Sequence, residues 1–287
     1  MDDRLSLYKE RSMSMCVEAT FDFIRTHIMT WLRLGAVLLL PVCVLLSLHV
    51  LTVENDEFLN DTRWDVGFTW GDADMPLVFW LFEAMALWGV LMLVYALLFA
   101  AADQALPSSI RGLMRYVRRA AVRSLVSAIM LFVLLWAFLN FTMWFPEVLL
   151  AVLLVPMLLV PPVWMMEDCS RSTAVSKGLR LGFSSWFSLF FTVLMVMLIG
   201  VIIILVINVP WMILQTILTE IVPVSGESGG GVIFIKWVIF MFTVLAYFCF
   251  LMVLSLVLLS CVFHYGSVSE RVEDTSLESD IEHFEQL

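Results

Sequence analysis

Six apolar runs separated by short polar stretches order the whole chain, at residues 34–52, 76–102, 125–141, 148–166, 186–209 and 233–263. A helix crossing the hydrocarbon core of a bilayer needs about 20 mainly apolar residues. Runs of this length, without strict alternation of apolar and polar positions, read as helices rather than strands. The fold class expected is therefore all-α: a polytopic membrane helical bundle with six transmembrane helices. The second and sixth runs exceed the minimum, which implies tilt or projection beyond the bilayer. Trp31, Trp64, Trp70, Trp144, Trp186, Trp211 and Trp237 mark the edges of runs, where amphipathic rings prefer to sit. Only a few residues around Trp144-Phe145-Pro146-Glu147 separate the third run from the fourth, so these two should form an antiparallel hairpin. The expected organisation is a cytoplasmic amphipathic helix in residues 1–33, the membrane domain in 34–263 and an acidic cytoplasmic tail in 264–287.

Three shorter stretches have helical periodicity without spanning length. Val17, Thr20, Phe21, Ile24 and Ile28 recur at helical spacing with Glu18, Asp22 and Arg25 opposite, the pattern of a helix lying on a membrane surface. A second such helix should precede the fifth run, with Glu167 and Asp168 at its N-terminal end and Lys177 and Arg180 in its later turns. These two are the cytoplasmic amphipathic elbow helices of the expected fold. The third, between Pro210 and Pro223, places Trp211, Leu214, Leu218 and Ile221 on one face, and a glycine-rich connector follows it. The first two resemble each other. A shift of 155 residues superposes Ala19 on Ala174, Ile24 on Leu179, Arg25 on Arg180, Trp31 on Trp186 and Leu34 on Leu189. Because both lead into a span from the same side, the repeat is expected to be parallel rather than inverted.

Charge orients the bundle. Of 16 Lys and Arg, all but Arg63 and Lys236 fall before the first run, between the second and third, between the fourth and fifth, or after the sixth. The positive-inside rule then puts both termini in the cytoplasm, with the inner (plasma) membrane of the cell as the expected location. At 62% hydrophobic and 15% charged residues, the chain is far from the soluble average of about 45–50% and 25%. The net charge of −10 comes from two acidic segments, one around Glu54–Asp74 and one from Glu270 onward, and such a balance gives no support to nucleic-acid binding. The five cysteines show no CxxC and no metal spacing, and read as small hydrophobes or free thiols. The first thirty residues lack the apolar core of a cleavable signal peptide, so the first span is expected to act as an uncleaved anchor.

Ala19-Thr-Phe-Asp-Phe-Ile-Arg25, and Glu167-Asp-Cys-Ser-Arg-Ser-Thr-Ala174 running on to Gly178-Leu-Arg-Leu-Gly-Phe183, resemble the elbow helices of a broad six-span group. This group includes the membrane domain of glycerophosphoryl diester phosphodiesterases and related bacterial integral membrane proteins of unknown function. Its second elbow carries an acid, an alanine, a basic turn and an aromatic at the start of the next span, and Glu167, Ala174, Arg180 and Trp186 stand at the matching positions. The resemblance implies a fold. It does not imply the phosphodiesterase activity, since no catalytic domain accompanies these residues in the sequence.

Candidate chemistry is sparse. Glu83 is the acid deepest in an apolar run, and a charge at membrane depth is a functional-site hypothesis by default. Lys236 enters the sixth run at a comparable depth, so a structural Glu83–Lys236 pair competes with a proton or ion relay. Asn140 and Asn208 read as polar groups at helix ends, worth about 0.6 kcal/mol each as interhelical hydrogen bonds. Pro156, Pro161 and Pro162 should kink the fourth span. Asp61, Asp72 and Asp74 lack the glycine-punctuated spacing of a Ca²⁺ loop, and the four histidines are scattered singly. No catalytic, cofactor-binding or metal residues are therefore assigned and no cofactor is expected; the residues singled out are Glu83, Lys236, Arg25, Arg180, Trp31, Trp186 and Glu167. In the tail, Thr275-Ser-Leu-Glu278 is a capping box, with Leu277, Ile281 and Phe284 on one face. It is expected to dock on the basic face of Arg115, Arg118, Arg119, Arg123 and Lys177. The partners expected are the lipid bilayer and a protein, or a second copy bound through this C-terminal helix. The reading that follows is a non-enzymatic multi-pass membrane protein that organises or assembles with partners. The alternative is a transporter or channel subunit for a small or lipidic solute.

Overall fold

The computed structural model describes residues 7–58, 77–102, 110–140, 144–167, 169–221 and 230–273. The acidic segment 59–76, with Asp61, Asp72 and Asp74, and the tail 274–287, with its capping box, lie outside the described residues. All described secondary structure is helical: α1 (Met13–Phe58), α2 (Leu77–Ala102), α3 (Ile110–Asn140), α4 (Trp144–Met157), α5 (Val160–Met166), α6 (Arg171–Ser184), α7 (Trp186–Ile221) and α8 (Gly230–Glu273). Among the described residues five helices are long and apolar enough to cross a membrane: Met13–Leu48, Trp80–Ala102, Gly112–Phe138, Trp186–Ile213 and Trp237–Glu273.

The centre of the bundle is α2. It reads as apolar on all sides, the signature of an enclosed helix, and α1, α3 and α8 surround it. Val90, Leu91, Leu93, Val94, Tyr95, Ala96, Leu97 and Leu98 are all buried there. In contrast, α7 packs chiefly along α8 and leaves Phe187, Met195, Ile202, Leu205 and Val206 exposed. Where α7 approaches α8, Gly200 lets Val253 come close: an added Cβ would meet its side chain at 2.2 Å.

The fourth apolar run, expected as one kinked span, is two separate helices. Pro161 and Pro162 have no N–H to continue the ladder begun in α4. Leu158 and Leu159 close the helix with tight bonds to Val155 and Pro156 carbonyls (3.2 and 3.1 Å), and α5 restarts at Val160 with proline in its first turn, where a missing N–H costs nothing. Two other boundaries also differ from expectation. Residues 211–221 form no separate helix, because α7 runs through Pro210. Residues 264–273 are no tail, because α8 continues to Glu273 with His264, Tyr265, Ser267, Val268 and Ser269 buried.

The start of α1 and α6 share a pattern of cap, break and burial, in a register of 158 rather than 155. Ser12 and Ser170 accept hydrogen bonds from the N–H three residues on, Met15 at 3.4 Å and Thr173 at 3.3 Å, each cap worth about 1 kcal/mol. Fifteen residues after these serines both helices break, at His27 (φ −114°, ψ 18°) and at Ser185 (φ −120°, ψ 21°). At each break the side chain returns to the carbonyl four residues earlier. His27 Nδ1 lies 2.8 Å from the Phe23 oxygen, and the Ser185 hydroxyl lies 2.9 Å from that of Leu181. The preceding residues, Thr26 and Ser184, also bond backward, to Asp22 and Leu181, and such back-bonding bends helices. Burial matches as well: Cys16, Thr20, Phe23 and Ile24 are buried, as are Ala174, Gly178, Leu181 and Gly182. In this register Arg25 pairs with Phe183 and Arg180 with Asp22, so the Arg and Trp pairs expected from residue identity are not equivalent positions. The apolar face of this first helical segment is covered in part by protein: Thr20 and Ile24 are buried and Phe23 meets Phe263 of α8 edge-on at 6.0 Å, while Ile28 stays 44% exposed.

Candidate functional site

Polar chemistry collects where the second elbow, the end of α5, the end of α8 and the segment before α1 converge. Lys177 on α6 is its hub. Its Nζ lies 2.8 Å from Glu167 Oε1, just after α5, and 2.5 Å from Glu273 Oε2, the last residue of α8. Arg180, one turn on, reaches the other Glu273 oxygen at 2.5 Å. The Tyr265 hydroxyl donates to Glu167, and the Tyr8 ring meets the Tyr265 ring edge-on at 6.2 Å. Two cations and two carboxylates balance, so the cluster is electrically closed.

The chain before α1 is strapped to the same post. Arg11 N–H donates to the Ser267 hydroxyl at 2.8 Å, and Ser267 returns the bond to the Arg11 carbonyl at 3.0 Å. Gly266 admits this strap: an added Cβ would stand 2.2 Å from the Leu7 oxygen. Deeper, Ser185 donates to Leu181 and so accepts from His264 Nε2 at 3.3 Å. That assigns the tautomer and leaves His264 Nδ1 as a buried acceptor without a partner among the described residues. Both elbows thus lock onto the last three turns of α8.

The second elbow can sit this low because of two glycines spaced four apart, a small-residue pattern that lets helix backbones approach. A Cβ on Gly178 would meet Val160 Cα at 2.9 Å, and one on Gly182 would meet Pro156 Cα at 2.5 Å. Gly178 and Gly182 therefore press α6 into the break between α4 and α5.

Burial works against the charge on Lys177, but the hydrogen bonds and charges of Glu167 and Glu273 outweigh it and hold its pKa above the usual 10.5. Burial likewise pushes the Tyr8 hydroxyl above 10.0, its hydrogen bond to Tyr265 offsetting part of the rise. Both groups hold their protons more tightly when folded than unfolded. Their contribution is complete below their unfolded values and drains away as pH climbs through the folded ones. The share of this cluster in thermal stability in detergent should therefore fall above about pH 10. The fall should be smaller in Lys177→Met, and an equal fall in that variant would separate the alkaline transition from this cluster.

Of the residues singled out from sequence, Glu167 and Arg180 belong to the cluster, and Arg25, Trp31 and Glu83 do not. Trp31 donates to the Ser255 hydroxyl of α8 at 3.0 Å, and Trp186 donates to the Val152 carbonyl of α4 at 3.0 Å, so both indoles tie helices together. Arg25 is exposed and Glu83 is half-buried on α2. The Lys236 side chain, and with it the expected Glu83–Lys236 pair, lies outside the described residues. Sequence reading missed Tyr8, Tyr265, Glu273, Gly178 and Gly182. The glycine spacing was the available signal; Glu273 was hidden among the seven acids of the C-terminal segment. Among the described residues no three His, Cys, Asp or Glu side chains come together in a way that would hold a metal ion. No protein-family model matches the chain, and neither a curated protein nor a solved structure matches it.

Proposed function

We propose that this chain is a non-enzymatic, multi-pass protein of the inner (plasma) membrane that organises or assembles with other membrane components, its termini on the cytoplasmic side. The observation that carries the reading is the contrast between α2 and α7. The middle of the bundle is solid: α2 is sealed by Leu, Val and Tyr95 side chains among α1, α3 and α8. By comparison α7 shows apolar side chains on most of its circumference, with Phe187 72% and Val206 68% exposed. A packed centre with an outward-facing helix suits a scaffold that meets neighbours laterally. The closed charge cluster suits it too, since its ionic groups are spent on holding α5, α6 and α8 together.

The transporter alternative draws on the break between α4 and α5 and on Glu83. The break is filled by Gly178 and Gly182 of α6, which weighs toward the scaffold. In-cell photo-crosslinking from positions 187, 202 and 206 decides between partner and lipid. The expected result is one protein adduct of constant mass from neighbouring α7 positions, with none from the enclosed Leu93. Adducts with lipid alone at all three would defeat the assembly reading. In the same cells an impermeant thiol reagent should label a cysteine at 65 and spare one at 280; the reverse would overturn the orientation.

A further inference from the structure

We propose that one face of α3 is a docking surface for an anionic phospholipid, whose headgroup is held by Arg115, Arg118 and Arg119 and whose chains lie along the apolar stripe above them. Two independent features meet on this face. At its foot Arg115, Arg118 and Arg119 are exposed, and no Asp or Glu occurs between Asp103 and Glu147 to neutralise them. Arg115 and Arg118 form no ion pair among the described residues, whereas Arg119 is steadied with its guanidinium 4.9 Å from the centre of the Phe99 ring. Above the arginines run Val122, Ile129, Val133 and Trp136, exposed at 71%, 52%, 56% and 44%.

The spacings from Arg115 through Arg118, Val122, Ile129, Val133 to Trp136 are 3, 4, 7, 4 and 3, so all six share one helical face. At 1.5 Å per residue, Arg118 to Ile129 spans roughly 16 Å, about the depth of one leaflet of a 30 Å hydrocarbon core. A ligand matching this surface needs a negative head and long apolar tails attached to it. That description selects an anionic phospholipid over the acidic C-terminal segment, which has the charge but only three apolar residues on one face. Lys177, counted toward a basic face for that segment, is already engaged by Glu167 and Glu273, and Glu273 is itself spent there.

Native mass spectrometry of the full-length protein in detergent tests this, with phosphatidylglycerol and phosphatidylcholine of identical chains as probes. Each basic side chain near a surface strengthens attraction to anionic lipid several-fold. Phosphatidylglycerol should therefore bind the native protein at least about tenfold better than phosphatidylcholine. Arg115→Gln/Arg118→Gln/Arg119→Gln should erase the preference, the corresponding triple Lys variant should keep it, and Arg25→Gln/Arg33→Gln should leave it intact. Equal binding of the two lipids by native protein overturns the proposal, as does a triple Gln variant that retains the preference. A chain ended at Asp274 should bind as the native one does. If that truncation instead raises phosphatidylglycerol binding about tenfold, the acidic segment is the resident occupant and the lipid assignment is wrong.

Discussion

Gly182→Ala is expected to destabilise the protein severely, although alanine is the better helix former by about 1 kcal/mol. The added carbon would sit 2.5 Å from Pro156 Cα and 2.9 Å from its carbonyl oxygen. Backbone at a proline cannot yield as a side-chain tip does, so α6 must lift out of the break between α4 and α5. Overpacking of a well-filled site costs about 1–3 kcal/mol, and here the Lys177 and Arg180 pairs are displaced with it. The matched control is Gly35→Ala, where the nearest atom is the Met252 Sδ at 2.6 Å, the middle of a flexible side chain able to swing away. Thermal unfolding in detergent should show Gly182→Ala far below native and Gly35→Ala close to it. Equal midpoints for the two variants would mean that the α6 contact does not bear on stability.

Lys177→Met is the second large effect. Methionine preserves volume and leaves the Glu167 and Glu273 carboxylates facing one another without their shared cation. Removing one partner from a fully buried ion pair costs about 3–5 kcal/mol. Here the Lys177 side chain retains 21% exposure and those of Glu167 and Glu273 retain 25% and 20%, so a cost of about 2–3 kcal/mol is expected. Arg180→Gln removes a charge from a side chain 65% exposed and should cost below about 1 kcal/mol. Adding Glu273→Gln to Lys177→Met should restore part of the loss, a non-additivity that a double-mutant cycle reads directly. Strict additivity would reduce the cluster to surface charges.

Hydropathy alone located every apolar run that became a helix, because the cost of unpaired backbone in lipid leaves helices as the economical way for a run of that composition to cross. The capping serines and the polar residues at the elbow breaks were also present to be read. The register of the repeat was not. A shift of 155 and a shift of 158 differ by three residues, about 60° on a helix, so both keep apolar positions on nearly the same face and chance identities such as Arg25 with Arg180 decide between them. Cap, break and burial choose 158, and those are properties of packed helices. Tertiary structure likewise decided the fate of the fourth run, since prolines mark where a ladder weakens but not which neighbour fills the gap. Composition determined that this chain is helical, apolar and asymmetric in charge. Only the folded chain brought Glu167, Lys177, Arg180, Tyr265 and Glu273 together, because their meeting depends on α8 running on to Glu273 and on two glycines letting α6 sink between α4 and α5.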